Sequence, residues 1–392
     1  MKWLWVNKTQ IAFGQQCVKE HLKTFVKPKS KVICTFGGGS INNNGCRKDV
    51  QDALDALKCT VRWEGGILAN PEFDRCVEIA NIVKQEKPDL ILAVGGGSVL
   101  DGTKYISLAA KLDDGLDPWT IITEQKYPAE NYNVGCVLTI PATGSEWNSN
   151  FVISRRSINA KLPGGNNQTF PVFSLIDPRY MMTLPPRQLR NGVYDAITHV
   201  IDQFLTPEES PMFDNFWLSV IKELVDIGPD VVQEGSSIEL HERLIVAASF
   251  ALNFIFTLAK DQCWGIHMIG HQLTAKYDID HAASLAIVGP FLLENQFERR
   301  IPLLAKSAEF AFGVKEGTQE EKARAFISEL RKFIIKIGQP TKVSEWEGAK
   351  IGENDVEVVT KMVMGSVGGQ PFGFHGQITE DVVRDVLKHV IV

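Results

Sequence analysis

Two short apolar runs in the first half of the chain constrain its fold more than any other feature. They cover residues 32–36 and 90–94, and each passes directly into the tetrapeptide Gly-Gly-Gly-Ser. Helix-compatible stretches follow both turns, over about 45–57 and 99–111. Strands that alternate with helices in this way predict a mostly parallel sheet that is covered by helices on both faces.

The second half of the chain has a different character. After Pro185-Pro186 strand-like alternation is scarce and apolar residues recur at helical spacing. We predict helices over residues 187–205, 212–226, 239–259, 262–276, 282–298, 301–312, 319–336, 354–366 and 379–391. The sequence therefore predicts an α/β, Rossmann-like domain over residues 1–184 and an all-α domain over residues 185–392.

Composition narrows the class of protein. The chain has 392 residues, of which 44% are hydrophobic and 22% charged, so it can bury two substantial cores. Its net charge of −6 argues against nucleic acid as a main partner. Seven scattered cysteines without a C-x-x-C pair favour reduced thiols and a cytoplasmic location. The longest apolar run, 244–259, contains polar residues and is short for a membrane span, so we interpret it as a buried core helix and predict no membrane partner.

Histidines and a carboxylate of the second half form a candidate metal site. His267 and His271 are four residues apart in an apolar run, which on a helix places both imidazoles on one face. Asp195 and His199 have the same spacing, and His281 follows a polar break. One carboxylate with several imidazoles suits zinc or ferrous iron and suits calcium or magnesium poorly. The alternative is that these are separate, hydrogen-bonded histidines of the core or surface.

The second glycine turn is a candidate phosphate site. A turn between a strand and a helix exposes backbone N–H groups at the positive end of the helix, and these bind pyrophosphate. Glycine is expected because side chains would hold phosphate oxygens away from the backbone. The turn matches neither G-x-G-x-x-G nor the loop of nucleotide hydrolases, and a plain tight turn is the alternative. Its residues are Gly95, Gly96, Gly97 and Ser98.

If the phosphate ligand is a nicotinamide dinucleotide, as the family resemblance given below implies, the first glycine turn bears on the choice between NAD(H) and NADP(H). In NAD-preferring folds an acidic residue at the end of the second strand accepts hydrogen bonds from the adenine ribose 2′-hydroxyl. Here that position holds Gly37, Gly38, Gly39 and Ser40, and the next acid is Asp49. We therefore predict NADP(H), and we expect an acid placed at Gly39 to move the preference toward NADH. The alternative is a turn that contacts no cofactor.

The two i, i+4 pairs and His281 together resemble the metal-site pattern of the iron-containing alcohol dehydrogenase family. The segment Asp280-His281-Ala282 is most similar to the NADP-dependent aldehyde reductase and butanol dehydrogenase members, and the similarity runs from about residue 5 to residue 390. The resemblance implies a dehydroquinate-synthase-like architecture in which His271 lies beside the metal, near the nicotinamide. The implied metal ligands are Asp195, His199, His267 and His281, and the implied catalytic residues are Asp195, His267 and His271.

The resemblance also implies a set of cofactor contacts. The second glycine turn continues into a Ser-x-x-Asp-x-x-Lys pattern that is similar to the family's phosphate loop. A threonine-containing segment, 139–146, resembles the family's cofactor segment, although an ordinary turn with Ser145 or Thr143 as a helix cap is the alternative. Lys161, in a Gly/Asn-rich loop, matches a basic position near the cofactor, and its alternative is a solvated surface lysine. The implied cofactor-binding residues are Gly37, Gly38, Gly39, Ser40, Asn70, Gly95, Gly96, Gly97, Ser98, Asp101, Thr139, Thr143 and Lys161.

The function implied by the resemblance is reversible hydride transfer between NADP(H) and an aldehyde or primary alcohol, assisted by one Fe2+ or Zn2+ ion. Relatives often dimerise through an N-terminal strand, here Trp3–Val6, so a homodimer is expected. Two alternatives stay open. One is another metal enzyme of this fold, a glycerol dehydrogenase or a dehydroquinate-synthase-like cyclase. The other is a nucleotide- or metal-binding protein without catalysis.

Overall fold

The structure is a computed structural model that describes residues 4–204, 206–258 and 260–392. It divides into two compact units. The first unit contains Leu4–Leu184 and Ser237–Ile245, and the second contains Pro185–Ser236 and Val246–Val392. The segment Ser237–Ile245, which the sequence does not mark as separate from the helical half, thus belongs to the first unit.

Strands are confined to the first unit among the residues that the structure describes. They are β1 (Gln10–Phe13), β2 (Lys31–Thr35), β3 (Thr60–Glu64), β4 (Leu90–Gly95), β5 (Val134–Leu138), β6 (Asn150–Arg155), β7 (Ala160–Gly165) and β8 (Phe173–Ile176). Six of them form a sheet in the order β1-β8-β5-β4-β2-β3, and every pairing in it is parallel. The predicted parallel sheet is confirmed.

The helices of both units have the following bounds. They are α1 (Cys17–Phe25), α2 (Cys46–Ala56), α3 (Phe73–Glu86), α4 (Gly97–Ala109), α5 (Thr120–Thr123), α6 (Pro186–Phe204), α7 (Pro211–Val231), α8 (Ile238–Ala251), α9 (Gly265–Tyr277), α10 (His281–Asn295), α11 (Ile301–Phe312), α12 (Gln319–Lys336), α13 (Asp355–Ser366) and α14 (Glu380–Val390).

Alternating residues of the central strand explain why the sheet is covered on both faces. In β4, Ile91 and Ala93 belong to a core cluster shared with α3 and α4. Leu90, Leu92 and Val94 belong to a second cluster shared with α1 and α2. Successive side chains of a strand point to opposite faces, so an unbroken apolar run is buried by helices on both faces of the sheet. Because β2 and β4 are parallel, both glycine turns lie at the same edge of the sheet, beyond the carboxyl ends of these strands.

A β-hairpin occupies the region where the sequence predicts a loop. Strands β6 and β7 pair antiparallel, with Lys161 opposite Ser154. Asn159 lies in the turn with φ of 50°, a backbone conformation that asparagine tolerates better than most residues. The loop prediction was wrong because β7 contains proline and two glycines, which are depleted in strands and read as loop residues.

The predicted helical second half is confirmed, with differences at the helix ends. Helix α7 continues to Val231, five residues beyond the predicted end, although Gly228 and Pro229 are residues that usually stop a helix. Helix α9 begins at Gly265, three residues later than predicted. Two predicted ends, residues 205 and 259, and Trp3 of the predicted dimer strand lie outside the described residues. Leu4–Val6 form no strand.

The long apolar run is shorter as a helix than the sequence predicts. The segment 238–258 is long and apolar enough to cross a membrane, but 56% of its most apolar stretch is buried inside the protein. The α-helix itself ends at Ala251, and a 3-10 turn covers Ile255–Leu258. Between them, Asn253 accepts a hydrogen bond from the backbone N–H of Ile255, and Phe254 has φ of 68°. This break ends the helix before it reaches a length that spans a bilayer.

Candidate metal centre and cofactor loops

Helix α6 carries the first part of the candidate metal centre. Asp195 and His199 lie one turn apart on it, and Asp202 follows three residues later on the same face. All three side chains are buried. Buried charges in an interior are stable when they are paired or bind a metal, so this helix face requires partners from other elements.

The partners come from α9 and from the start of α10. His267 and His271 lie one turn apart on α9, and His281 is the first residue of α10. The interatomic distances converge on Oδ1 of Asp195. It lies 3.6 Å from Nε2 of His281, 3.7 Å from Nε2 of His199 and 3.9 Å from Nε2 of His267. The four predicted ligands therefore come together around one point.

Within this cluster, three side chains form the tightest group. Ligand atoms of Asp195, His267 and His281 all lie within 4.8 Å of one another. His199 adjoins the group, since its ring centroid is 4.8 Å from that of His267. The ring centroid of His271 lies 5.1 Å from that of His281 and 6.2 Å from that of His267. His271 therefore adjoins the predicted ligands, and its separate role stays a prediction.

Asp202 is a member of this centre that the sequence interpretation missed. Its Oδ2 accepts a hydrogen bond from Nδ1 of His267 at 2.7 Å and from the backbone N–H of His267 at 3.1 Å. Its Oδ1 accepts from the backbone N–H of Ile266 at 3.2 Å. The carboxylate therefore caps the first turn of α9 and also holds the proton of His267 on Nδ1. The sequence feature that could have predicted Asp202 is its position seven residues after Asp195, which places it two turns along the same helix face.

The residues fit a divalent metal ion. With its proton on Nδ1, His267 presents a basic Nε2 to the cluster, and this buried atom makes no hydrogen bond to any residue that the structure describes. Burial lowers the pKa of His199 well below its usual range, with a smaller contribution from His267. Neutral imidazole is the form that binds a metal. One carboxylate and three imidazoles suit iron or zinc.

An exposed ion pair fixes the start of α10. Asp280 precedes His281, and its carboxylate accepts hydrogen bonds from Nε and Nη2 of Arg187 at 2.6 and 2.7 Å. Asn191 donates to the same carboxylate at 2.8 Å. Arg187 and Asn191 belong to the first two turns of α6, so this contact joins the helix that carries Asp195 to the residue before His281. A bidentate guanidinium–carboxylate pair also defines orientation.

Trp264 adds a strained aromatic residue to the centre. It precedes α9 with φ of 60°, a conformation that bulky residues rarely adopt. Its ring lies edge-on to His267 and to His199, with centroid distances of 5.2 and 6.3 Å. Its Nε1 donates to Oε1 of Gln262 at 2.8 Å. Strain of this kind is concentrated at functional sites, and here it places an apolar ring against two candidate ligands.

The second glycine turn and the threonine segment of the first unit pack closely together. A Cβ on Gly96 would lie 2.8 Å from Ile140, and a Cβ on Gly97 would lie 2.3 Å from Oγ1 of Thr143. The backbone N–H of Thr139 donates to the carbonyl of Gly95 at 3.0 Å. Glycine is therefore required here for contact within the protein, a reason that the sequence interpretation did not include. Gly97 and Ser98 open α4, where backbone N–H groups have no partner within the helix.

Asp101 is held by the protein itself. Its Oδ1 accepts from the hydroxyl of Ser145 at 2.7 Å and its Oδ2 from the N–H of Val152 at 3.0 Å. Lys104 donates to the Ser145 hydroxyl at 2.7 Å and to the carbonyl of Asn150 at 2.8 Å. Burial raises the pKa of Asp101 and lowers the pKa of Lys104 to about 8, while each charge partly offsets the shift of the other. The polar pattern after the second turn thus secures the segment around Ser145 and β6.

Lys161 is not the solvated surface lysine that the sequence left as an alternative. It is 5% exposed, and its ammonium group donates to Oδ1 of Asn70 at 2.9 Å. Asn70 itself has φ of 55°, in the left-handed region. Two residues predicted to contact the cofactor, 91 positions apart in the sequence, are therefore in direct contact.

The first glycine turn is open to solvent at two of its positions. Gly38 and Ser40 are exposed, and a 3-10 turn begins at Ser40. Gly39 has φ of 98°, so glycine is required there by backbone conformation. A Cβ on Gly37 would lie 3.1 Å from the carbonyl oxygen of Ile67 and 3.5 Å from Val99, a residue in the first turn of α4. A Cβ on Gly95 would lie 2.5 Å from the same Val99 side chain, so Val99 lies next to both glycine turns.

Comparison with known proteins decides the family. The sequence model of "Iron-containing alcohol dehydrogenase" matches residues 8–178, and that of the "Fe-containing alcohol dehydrogenase family, C-terminal" matches residues 190–391. The chain belongs to the iron-containing alcohol dehydrogenase family. The resemblance inferred from the sequence is confirmed, and so is the prediction of an enzyme of this oxidoreductase class.

Individual relatives within the iron-containing alcohol dehydrogenase family cover nearly the whole chain. The NADPH-dependent aldehyde reductase YqhD of Escherichia coli is 37% identical over 86% of this chain and 87% of its own length. The NADP-dependent alcohol dehydrogenase 3 of Entamoeba histolytica is 32% identical over 100% of this chain and 99% of its own. A crystal structure of E. coli YqhD superimposes with a TM-score of 0.93 and 35% identity, covering 99% of this chain and 98% of the other.

Proposed function

We propose that this protein is a metal-dependent oxidoreductase that transfers hydride reversibly between NADP(H) and an aldehyde or primary alcohol. The convergence of Asp195, His199, His267 and His281 on one point carries the proposal. The names of two relatives, an NADPH-dependent aldehyde reductase and an NADP-dependent alcohol dehydrogenase, support the cofactor and the substrate class. We further propose that residues 1–184 form the cofactor-binding domain and residues 185–392 the metal-binding domain.

In this proposal the four ligands hold one Fe2+ or Zn2+ ion. When bound, the ion supplies Lewis acidity toward a carbonyl or alcohol oxygen, and the nicotinamide supplies or accepts the hydride. Asp195 contributes the negative charge that partly neutralises the cation. Asp202 keeps the His267 proton on Nδ1, so that Nε2 retains its lone pair. The Arg187–Asp280 pair orients the first residue of α10, and with it His281.

His271 is assigned to proton transfer. It lies one turn after His267 on α9 and is buried, and its ring is close to that of His281. Reduction of an aldehyde requires a proton at the oxygen once hydride has reached the carbon. An imidazole near the reacting centre delivers or accepts that proton at a ring nitrogen.

The cofactor contacts are assigned to loops of the first unit. Gly95, Gly96, Gly97 and Ser98 present the opening of α4 to the pyrophosphate. The first glycine turn, Gly37 to Ser40, faces the adenine ribose and its 2′-phosphate, because it contains no acid that would repel phosphate. The remaining assigned contacts are Asn70, Asp101, Thr139, Thr143 and Lys161, of which Asp101 acts through the loop that it holds.

Absorbance at 340 nm tests the proposal directly. The purified protein, loaded separately with Fe2+ and Zn2+, is mixed with NADPH and a panel of aldehydes from two to eight carbons. We expect aldehyde-dependent oxidation of NADPH that a chelator abolishes and that the metal restores. NADPH binding without turnover of any aldehyde or alcohol in the panel would contradict the proposal and favour a non-catalytic binding protein.

Two related activities are distinguished by the same assay. A glycerol dehydrogenase would reduce NAD+ with glycerol in preference to NADP+ with a primary alcohol. A dehydroquinate-synthase-like cyclase would use the cofactor transiently, so the absorbance of reduced cofactor would not change over complete turnovers. Either result would replace the proposed reaction while leaving the metal centre in place.

We propose in addition that the protein is a cytoplasmic homodimer. All seven cysteines are free thiols, as expected in a reducing compartment. Strand β1 is an edge strand of the sheet, and Leu4 and Trp5 are exposed beside it in sequence. Exposed edge strands and apolar side chains favour pairing with a second copy. Light scattering coupled to gel filtration measures the mass, and a monomer would contradict the dimer.

A further inference from the structure

The first glycine turn lacks a charge of its own. Residues 36–45, which connect β2 to α2, contain no acidic and no basic side chain. The 2′-phosphate of NADP(H) is anionic, and arginine binds phosphate through two parallel, charge-assisted hydrogen bonds that are stronger than bonds between neutral groups. Many nucleotide-binding folds place an arginine near this position for that purpose. A positive group that is near the turn in space, though outside it in sequence, would therefore complete the site.

Arg47, in the first turn of α2, is such a group. Its Nη1 donates at 3.1 Å to Oδ1 of Asn42, two residues after the first glycine turn. The guanidinium lies over the ring of Trp63 at 4.7 Å and over the ring of Phe36 at 5.4 Å. Stacking on two rings restricts the side chain, so less conformational entropy is lost when it binds an anion. An arginine has five N–H donors, and Asn42 uses one of them.

Other cations in this part of the first unit are neutralised by carboxylates. The ion pairs join Arg62 with Glu64 and Glu86, Arg75 with Glu64 and Glu78, Lys31 with Glu86, and Lys48 with Asp52. Arg47, in contrast, forms no ion pair with any of the residues that the structure describes. Its charge is therefore available to an external anion at the turn.

We infer that Arg47 binds the 2′-phosphate of NADP(H) and determines the preference of this enzyme for NADP(H) over NAD(H). The inference rests on the proposed function, because it names the residue that recognises the cofactor at that site. At this site the guanidinium supplies a positive charge to the 2′-phosphate and Ser40 supplies a hydroxyl donor. Asn42 holds the guanidinium beside the turn.

Binding measured by cofactor fluorescence tests this without turnover. Dissociation constants for NADPH and NADH are determined for the unmodified protein and for Arg47→Met, which keeps the apolar stem. Removal of a charge-assisted contact is expected to weaken NADPH binding by roughly tenfold or more, and to leave NADH binding unchanged. Arg47→Lys should retain part of the affinity for NADPH. The matched control is Lys48→Met, which removes the same charge from the next residue and should change neither constant.

The outcomes separate this inference from the proposed function. If Arg47→Met binds NADPH as Lys48→Met does, Arg47 does not recognise the 2′-phosphate, even though NADPH-dependent reduction stands. Equal weakening of NADPH and NADH would assign Arg47 a structural role and would also overturn the inference. If the unmodified protein binds neither dinucleotide, the proposed function fails first. Competition by 2′-AMP but not by 5′-AMP, lost in Arg47→Met, is the further result expected.

Discussion

The carboxylate of Asp202 lies 2.7 Å from Nδ1 of His267 and also accepts the N–H groups that open α9. One side chain thus sets both the position of the helix that carries His267 and the tautomer of its imidazole. The first prediction follows from this double contact. Asp202→Asn replaces two acceptor oxygens with one and places an NH2 group against N–H donors, so His267 is no longer held in one tautomer.

We expect Asp202→Asn to lower metal affinity by about 10- to 100-fold, the usual effect of losing a hydrogen-bond partner of a metal ligand. Competition with a chromogenic chelator measures the affinity. Asp226→Asn, on the exposed surface of α7, is the control and should bind metal normally. Unchanged affinity in Asp202→Asn would show that the backbone alone positions His267.

The second prediction concerns the ligands themselves. Asp195→Ala and His267→Ala should each reduce turnover by roughly 10³-fold or more, because the Lewis acid is lost from the reaction. The dissociation constant for NADPH should change little, since the assigned cofactor contacts belong to the first unit. His21→Ala, an exposed histidine of α1, serves as the control. Near-normal turnover by either variant after treatment with a chelator would refute the four-ligand assignment.

The third prediction separates local positioning from global stability at Arg187. This side chain is about half exposed, so its ion pair with Asp280 contributes little to the free energy of unfolding. Arg187→Gln should therefore leave the melting temperature of the metal-free protein almost unchanged. It should nevertheless weaken metal binding several-fold, because the residue before His281 loses its bidentate partner. If the melting temperature of the metal-free variant falls so far that general destabilisation explains the weaker metal binding, Arg187 has no positioning role.

A fourth prediction addresses the contact between Gly97 and Thr143. A Cβ at residue 97 would lie 2.3 Å from Oγ1 of Thr143, so that either the Thr143 side chain or the backbone must shift. Gly97→Ala should destabilise the protein by about 1–3 kcal/mol, as overpacked cores do, and should weaken NADPH binding. Adding Thr143→Gly restores space, so the double variant should regain stability by thermal denaturation. A single variant as stable as the unmodified protein would show that the loop adapts without cost.

The fifth prediction moves an acid into the first glycine turn. Gly39 has φ of 98°, so an aspartate there would strain the backbone as well as alter the charge. Gly38 lacks this restriction, and a Cβ on it would meet only Leu68 at 3.8 Å. Gly38→Asp should shift the ratio of kcat/KM for NADPH and NADH toward NADH by roughly tenfold or more, through repulsion of the 2′-phosphate. Gly38→Asn has the same size without the charge. If both variants shift the ratio equally, bulk and not charge is responsible.

Local pattern was sufficient for much of this molecule. Apolar runs that end in glycine predict β2 and β4, because strand length, burial on two faces and tight turns all depend on residues that are close together in the sequence. Histidines four apart predict a shared helix face for the same reason. The hairpin of β6 and β7 escaped prediction because its proline and glycines contradict local strand preference, and pairing between the two strands overrides that preference.

What the sequence by itself determined is the family, the α/β and helical halves, and the four candidate metal ligands, although not Asp202 beside them. Only the tertiary structure decided which distant residues meet. It brought Asp202 to His267 across 65 positions and Asn70 to Lys161 across 91. It also showed that Gly97 is required by the bulk of Thr143. Contacts of this kind depend on how helices and strands pack against one another. A periodic pattern predicts which face of a helix or strand a residue occupies, but it does not predict which distant residue that face will contact.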